Sequence, residues 1–281
     1  MIALIHGTDS HSNRSDRIAI AIAGATNFRF AKKVLLLSMS KRFDLVDTLI
    51  GKSTSNNKII SRGYTFDDSG LDALLRRMET GSLNAESFSD CCTNIVQTDN
   101  GFDVASPSKR ADLESFIAKS ETFLKRFFDV ANKVYDLVLV VGDGRERESL
   151  KVLQSLCERE VVVITQGEKT SISLGRKDAL YCIDNYDQSS IYNYKRMKEL
   201  YGVQSDSKMY PVPYNIRFKD SCRSRAAIEF IAKNVETDKT DDDFIFNDCI
   251  TKLASAVLGQ EVPKIVERKF FEKERPSRKR R

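Results

Sequence analysis

The 281-residue chain contains no tryptophan, only two histidines and only five prolines. It also lacks any apolar run close to the roughly 20 residues that a membrane-crossing helix needs, which argues against an integral membrane protein. Its six cysteines form no CxxC pair, so the spacing favours neither a zinc module nor a disulfide scaffold. We therefore expect reduced, mostly buried thiols in a cytoplasmic protein.

Positive charge is in excess only near the C-terminal end. The net charge of the chain is +5, and residues 261–281 hold nine Lys/Arg against four Asp/Glu, which accounts for the whole excess. Because the rest of the chain is neutral, it shows no electrostatic footprint of a nucleic-acid-binding domain.

Short apolar runs alternate with amphipathic stretches along most of the chain. The runs, rich in Val, Ile and Leu, are Ile2–Ile5, Val34–Leu37, Leu137–Val141, Val161–Ile164 and Leu180–Ile183. Periodicity predicts helices near 15–31, 110–133, 145–158, 187–201, 219–234 and 242–258. Buried strands joined by helices are typical of the α/β class, so we predict a doubly wound, mostly parallel sheet with helices on both faces.

The same pattern predicts the domain organisation. We expect one α/β domain over residues 1–259 and a basic tail over 260–281. Residues 52–109 break the alternation with polar stretches around helices near 70–80 and 84–92. We interpret 52–109 as an insertion between the second and third strands.

The first strand runs into a polar loop, His6–Asp16, and then into a helix of small apolar residues, Ile18–Ala25. Ligands of open parallel sheets bind at the carboxyl ends of the strands, and a helix N-terminus presents N–H groups to an anion. This layout predicts a phosphate-binding loop.

Several stretches resemble the ParA/MinD group of deviant Walker ATPases, which have a P-loop NTPase-like fold. Beside the first strand and helix, they are Lys32–Ser40, Gly70–Leu75, Thr80–Leu83, Phe102–Arg110, Tyr135–Val141, Ile183–Asp187 and Tyr210–Asn215. The stretches within 52–109 are similar to the branch found with pilus-assembly (TadZ/CpaE-like) and mobile-element proteins. The resemblance covers roughly residues 1–258.

The chain departs from this family where the family binds phosphate. The resemblance implies a glycine-rich loop with two lysines, but here Gly7 is the only glycine of the loop and no lysine precedes Lys32. Thr8 stands near the place of the first lysine, and Arg14 with Ser15 could replace the Lys-Ser pair. The alternative is a solvated loop that has kept its path and no longer binds a ligand.

Two further departures concern acids. The resemblance implies carboxylates after the second strand, where Ser38 and Ser40 stand, and a Walker B aspartate at the place of Val141. A hydroxyl is a much weaker base than a carboxylate, and valine cannot hold a metal-bound water. Asp143 is a weak candidate metal ligand, because the tight Gly-Asp-Gly turn is an adequate structural explanation for it.

On the adenine side, the resemblance places Asn185 and Pro213 among residues that contact the base. Their structural alternatives are an Asx cap in a loop and a proline at a strand end.

The tail resembles, in position and character, the amphipathic C-terminal helix with which MinD-like proteins bind anionic lipid. Its apolar residues lie among cations: Phe270, Phe271, Lys264, Arg268 and Lys269. An anionic membrane surface, a partner protein, nucleic acid and a solvated end remain alternatives for it.

Together these features predict a degenerate, non-hydrolysing ParA/MinD-like protein with no catalytic residue, cofactor or metal. It would be a scaffold or a positioning or partition factor, cytoplasmic or peripheral at the inner face of the membrane. It would bind a protein partner, with a homodimer as one form, in a pilus, secretion, conjugation or plasmid-maintenance system.

Two other hypotheses stay open. The chain is an active ATP-binding ATPase with a rearranged phosphate loop, using Arg14, Ser15 and Asp143 with ATP and Mg²⁺, or its emptied loop binds a different anionic ligand.

Overall fold

The computed structural model describes residues 1–8, 13–40, 49, 69–96, 100–167, 175–203, 208–234 and 241–263, with the backbone only at 13 and 14. The side chain of Arg14 and all residues of the tail beyond Pro263 lie outside this description.

Eight strands form one sheet in the order β3-β4-β2-β5-β1-β6-β7-β8. They are β1 (Ile2–Gly7), β2 (Val34–Ser38), β3 (Thr93–Val96), β4 (Phe102–Ala105), β5 (Leu137–Gly142), β6 (Arg159–Thr165), β7 (Leu180–Tyr186) and β8 (Met209–Pro213). All neighbours pair in parallel except β3 and β4, which are antiparallel. The predicted doubly wound, mostly parallel α/β sheet is confirmed.

Helices cover both faces of the sheet. Within the described residues they are α1 (Asn13–Phe30), α2 (Gly70–Glu79), α3 (Ala85–Asp90), α4 (Leu113–Lys119), α5 (Glu121–Val134), α6 (Arg147–Leu156), α7 (Tyr194–Tyr201), α8 (Ile216–Arg223), α9 (Ala227–Lys233) and α10 (Asp242–Leu258). None of them is long and apolar enough to cross a membrane.

The side chains of each central strand alternate between two cores, as the period of two requires. Ala3 and Ile5 of β1 pack in the core beneath α1, α9 and α10, whereas Ile2 and Leu4 pack in the core beneath α2–α6. A smaller core lies between β6, β7 and α7. No disulfide joins the six cysteines, and four of them are buried.

The five strands predicted from apolar runs are all present, but β3, β4 and β8 were not indicated by such runs. Two of these strands come from the segment that we interpreted as an insertion, so 52–109 contributes to the sheet itself. The polar Asp103 interrupts the apolar pattern of β4. It is buried because its carboxylate accepts hydrogen bonds from Asn94 (2.7 Å) and from the Tyr135 hydroxyl (2.7 Å).

Two predicted helices are each divided in the structure. The amphipathic stretch 110–133 forms α4 and α5 with a break at Ser120, and the stretch 219–234 forms α8 and α9. The last helix matches its predicted bounds: Asp241 caps it by accepting from the Asp243 N–H, and Gly259 ends it with a φ of 63°.

Candidate functional site

The candidate site lies at the carboxyl edge of the sheet, where β1 is flanked by β5 and β6. The chain leaves β1 through α1 towards β2 on one side, and β6, β7 and β8 lie on the other side. This is a topological switch point, and open α/β sheets bind ligands in the crevice that forms there. We call the ends of β1, β2 and β5 the β1–β2–β5 cluster, and the groove between β7, β8 and α1 the β7–β8 cleft.

At the end of β1 the backbone is tightly packed. Gly7 and Thr8 follow the strand, and a Cβ atom added at Gly144 would overlap with the carbonyl oxygen of Gly7. The turn after β5 therefore lies directly against the start of the β1–α1 loop. Ser15, in the first turn of α1, is buried and has a bonding partner.

At the end of β2, Ser38 and Ser40 are both buried, and their polar groups bind each other. The Ser38 hydroxyl donates to the Ser40 carbonyl oxygen at 2.9 Å, and the Ser40 N–H donates to the Ser38 oxygen at 3.2 Å. These bonds form a closed turn. The turn puts hydroxyl groups at the places where the family resemblance implies carboxylates.

At the end of β5, Val141 is fully buried in the core beneath α1. Asp143 follows it, and its carboxylate accepts from the backbone N–H of Arg145 (3.0 Å) and from the Arg145 guanidinium (3.2 Å). Among the described residues no group of three or more His, Cys, Asp or Glu side chains is placed to hold a metal ion.

A buried polar network below this cluster was missed by the sequence reasoning. His6 and Glu160 are almost completely buried, and Nε2 of His6 lies 2.7 Å from Oε1 of Glu160. The other ring nitrogen lies 3.3 Å from the Gly7 carbonyl oxygen. Glu160 also accepts from Gln154 (2.7 Å) and from the backbone N–H of Arg176 (2.7 Å).

Burial alone would raise the pKa of Glu160, but its hydrogen bonds with His6, Gln154 and Arg176 outweigh that and hold the pKa below its usual range. The only sequence signal for this network was an acid at the start of an otherwise apolar strand.

The β7–β8 cleft brings together two residues that the resemblance had singled out, Asn185 and Pro213. The other residues that line the cleft are Arg17, Ile18, Asp184, Tyr214, Asn215, Phe218, Lys219 and Phe246. Asn185 has a left-handed backbone conformation with a φ of 54°, which asparagine tolerates better than most residues.

Asn215 holds one wall of this cleft in place. Its side-chain oxygen caps α8 by accepting from the Phe218 N–H at 2.8 Å, and its amide donates to Asp243 of α10 at 2.8 Å. Lys219 lies over the Tyr214 ring, 5.5 Å from its centroid. The cleft therefore offers an aromatic ring, amides and charges of both signs on a rigid frame.

Asp16 lies in α1 near the cleft. Burial raises its pKa to about 7; the neighbouring Asp184 adds to the rise, while the N–H and charge of Arg17 oppose it. At neutral pH this carboxyl group is therefore close to the midpoint of its titration.

The fold is that of the ParA/MinD ATPases, and the resemblance seen in the sequence is confirmed at this level. The chain is similar to a ParA family ATPase from Chlorobium tepidum TLS, with 14% identity and a TM-score of 0.65 over 90% of this chain and 98% of that one. No family model matches the sequence, and no curated protein does either.

Two other solved structures share the fold. MinD in the MinC:MinD cell division complex of Aquifex aeolicus is 13% identical, with a TM-score of 0.61 over 95% of this chain and 99% of that one. A putative plasmid partition protein from Borrelia burgdorferi, bound to AMPPNP, is 14% identical, with a TM-score of 0.59 over 90% and 97%.

Proposed function

We propose that this protein is a ParA/MinD-type protein that does not hydrolyse ATP and acts as a scaffold or positioning factor. The observation that supports the proposal most strongly is the set of residues at the end of β5. There Val141 is fully buried, and the nearest following carboxylate, Asp143, is bound by Arg145. Phosphoryl transfer depends on positioning and on neutralising charge at the transferred group, usually with a carboxylate-held Mg²⁺.

Two neighbouring elements support the same conclusion. The Ser38 hydroxyl at the end of β2 bonds to the backbone of Ser40 within its own turn, and the β1–α1 segment contains no lysine. Each element would have to supply charge to a single phosphate–metal complex. We therefore infer that the loss of hydrolysis is a property of the whole β1–β2–β5 cluster.

The frame that remains suits a protein that assembles with others. An α/β body can keep a partner or dimer surface after its nucleotide chemistry is lost. The Aquifex MinD is solved in complex with MinC, and the Borrelia relative is described as a plasmid partition protein. We propose a protein partner for this chain, in a pilus, secretion, conjugation or plasmid-maintenance system, with a homodimer as one form.

Phosphate release from the purified protein tests the proposal, with Mg²⁺ and ATP and with or without DNA or lipid. We expect turnover below roughly 0.1 per minute, slower than a GTPase that carries its arginine finger in cis. A faster rate that disappears in Arg14→Ala would support the rearranged-loop ATPase instead. Lys33→Ala, which removes a cation near the opposite edge, is the matched control.

The β7–β8 cleft favours a second candidate, nucleotide binding without hydrolysis. Asn185 and Pro213 line one cleft with Tyr214, which presents a ring for stacking. In this alternative ATP would bind through its base. Calorimetry with ATP tests this alternative, whereas a change in dimerisation on adding ATP with Mg²⁺ would support the active ATPase.

A further inference from the structure

The loop between β7 and α7 presents an apolar side chain to solvent. Ile191 is 71% exposed, more than any other large hydrophobic residue that the structure describes. Single exposed hydrophobic residues are common, so this exposure by itself indicates no function. Ile191 is distinguished by the loop that holds it and by the charges beside it.

Hydrogen bonds fix this loop at both ends. The amide of Gln166, which follows β6, donates to the carbonyl oxygens of Asp187 (2.9 Å) and Tyr192 (2.8 Å), and its oxygen accepts from the Asp187 N–H (2.8 Å). The Asp187 carboxylate also accepts from the N–H (2.8 Å) and the hydroxyl (2.7 Å) of Ser189. Because the loop is fixed, Ile191 is held in a preorganised position, which lowers the entropy cost of binding.

An aromatic ring and a cation lie next to Ile191. The Tyr192 ring packs on the backbone of Gly167, where an added Cβ atom would be 3.0 Å from the ring. The Arg196 guanidinium lies over the same ring, 5.3 Å from its centroid. Tyrosine and arginine are enriched among the residues that dominate the binding energy of protein interfaces, so this pair is suited to an interface.

The cations of α7 are not explained by the stability of the helix. Lys195 and Arg196 are both exposed in the first turn of α7, which contains no acid. Positive charge is unfavourable at a helix N-terminus. The N-cap residue, Asn193, accepts from the Arg196 N–H at 3.1 Å and supplies no counter-charge. A placement that opposes local preference is expected where a residue serves binding.

The chemistry of this surface favours a protein as its occupant. An aliphatic side chain neither binds phosphate nor stacks on a base, so Ile191 would add nothing to nucleic-acid binding. A bilayer would bury Ile191 and part of Tyr192, whereas binding in a membrane interface needs a broad apolar face. An acidic protein suits both features, because it can offer an apolar pocket with carboxylates at its rim.

We propose that Ile191, Tyr192, Lys195 and Arg196 form a docking surface for an acidic partner protein. Ile191 enters an apolar pocket of the partner, and Lys195 and Arg196 pair with carboxylates around that pocket. The proposal rests on the protein partner of the proposed function, for which it names the binding surface and the charge. It does not depend on whether this protein hydrolyses ATP.

Photo-crosslinking in the native cell tests the proposal, with the full-length protein carrying Ile191→p-benzoylphenylalanine. We expect an adduct with a protein whose surface is acidic. Ile216→p-benzoylphenylalanine, at a site that is 51% exposed, is the matched control and should not give this adduct. The lack of a protein adduct at position 191, or an adduct there with nucleic acid, lipid or a second copy of this chain, would contradict the proposal.

A charge reversal separates docking from accidental capture. Lys195→Glu with Arg196→Glu should reduce the adduct at position 191 more than about tenfold, because like charges across an interface repel each other. Lys125→Glu with Arg126→Glu, an exposed pair of the same residue types in α5, is the matched control and should leave the adduct unchanged. Equal yields from the two double variants would overturn the proposal.

The outcomes for this surface and for the proposed function can be told apart. A protein that hydrolyses ATP and still forms the charge-dependent adduct would contradict only the loss of hydrolysis. A partner captured at position 216 and not at 191 would agree with a protein partner and contradict this surface. In calorimetry with the purified captured protein, Ile191→Asp should raise the dissociation constant at least about tenfold, and an unchanged constant would contradict the role of Ile191.

Discussion

The β1–β2–β5 cluster and the β7–β8 cleft lie on the same edge of the sheet but differ in how their polar groups are used. In the cluster, Ser38 binds Ser40 and Asp143 binds Arg145. In the cleft, Asn185, Tyr214 and Lys219 line an open groove. One fold thus has a groove on one side of β1, while on the other side Ser38 and Asp143 are bonded within their own turns.

The largest effect that we expect concerns the close packing of the cluster. Gly144→Ala should lower the free energy of unfolding by about 3 kcal/mol, because the new methyl group would overlap with the Gly7 carbonyl oxygen and the backbone must shift. Gly7→Ala is the control, since nothing lies within 4 Å of a Cβ there. Urea denaturation measures both, and equal stabilities would show that the cluster is loosely packed.

The buried network below the cluster should come next. Glu160→Gln should cost about 2–3 kcal/mol, since it removes a carboxylate that accepts from His6, Gln154 and the Arg176 N–H. Because the pKa of Glu160 is lower in the folded chain than in the unfolded one, ionised Glu160 stabilises the fold at pH values above the usual pKa of a glutamate. This stabilisation is lost as the pH falls through the pKa of Glu160 in the folded chain. The variant should therefore flatten the acid side of the stability profile.

Glu158→Gln is the matched control for that experiment. Glu158 is 59% exposed at its side chain and accepts from the Ile2 N–H at 3.2 Å. Its loss should cost less than about 1 kcal/mol. If both variants lose the same free energy of unfolding in thermal or urea denaturation, the buried network contributes no more to stability than the exposed Glu158.

Asp16 should show an effect that depends on pH. Its pKa is about 7 in the fold and about 3.9 in an unfolded chain, so its contribution to stability is greatest below pH 4 and is lost as pH rises through 7. Asp16→Asn should raise the free energy of unfolding by about 2 kcal/mol at pH 8, roughly half of what the full pKa shift corresponds to because the residue is partly exposed, and change it little at pH 4. Melting temperatures across pH measure this, with the exposed Asp129→Asn as control. If the difference in stability between Asp16→Asn and the wild type were the same at pH 4 and pH 8, the expectation would be contradicted.

The smallest expected effect compares ligands directly. Because the polar groups of the cluster bind each other, the phosphates should add almost nothing to affinity, and calorimetry should give ATP and adenosine dissociation constants within about twofold. Tyr214→Ala should weaken both ligands alike. If ATP bound more than tenfold more tightly than adenosine in the presence of Mg²⁺, the cluster would contribute to phosphate binding, and the expected difference between the cluster and the cleft would be wrong.

Much of the fold could be predicted because it is encoded in local spacing. Continuous apolar runs identify strands that are buried on both faces, and α10 could be bounded from its first acids and from Gly259. Three strands, β3, β4 and β8, could not be found in this way. Asp103 makes β4 look polar, although Asn94 and Tyr135 satisfy its carboxylate, and two prolines obscure β8.

The candidate site could be predicted only in part. Resemblance singled out Asn185 and Pro213, and the structure brings them into one cleft. The predictions for the Arg14 side chain and for Phe270, Phe271, Lys264, Arg268 and Lys269 fall outside the described residues and stay predictions. The pair of His6 and Glu160 could not be foreseen, since 154 positions separate its members.

The sequence by itself determined the alternation of strands and helices, the missing lysines and acids, and the basic tail, because residue types and their spacing carry that information. Only the tertiary structure decided that Asp143 is bound by Arg145, that Gly144 packs on Gly7, and that the side-chain oxygen of Asn247 is buried with no donor among the described residues. These features depend on which distant backbone and side-chain atoms meet, and that is set by the packing of the whole sheet and its helices.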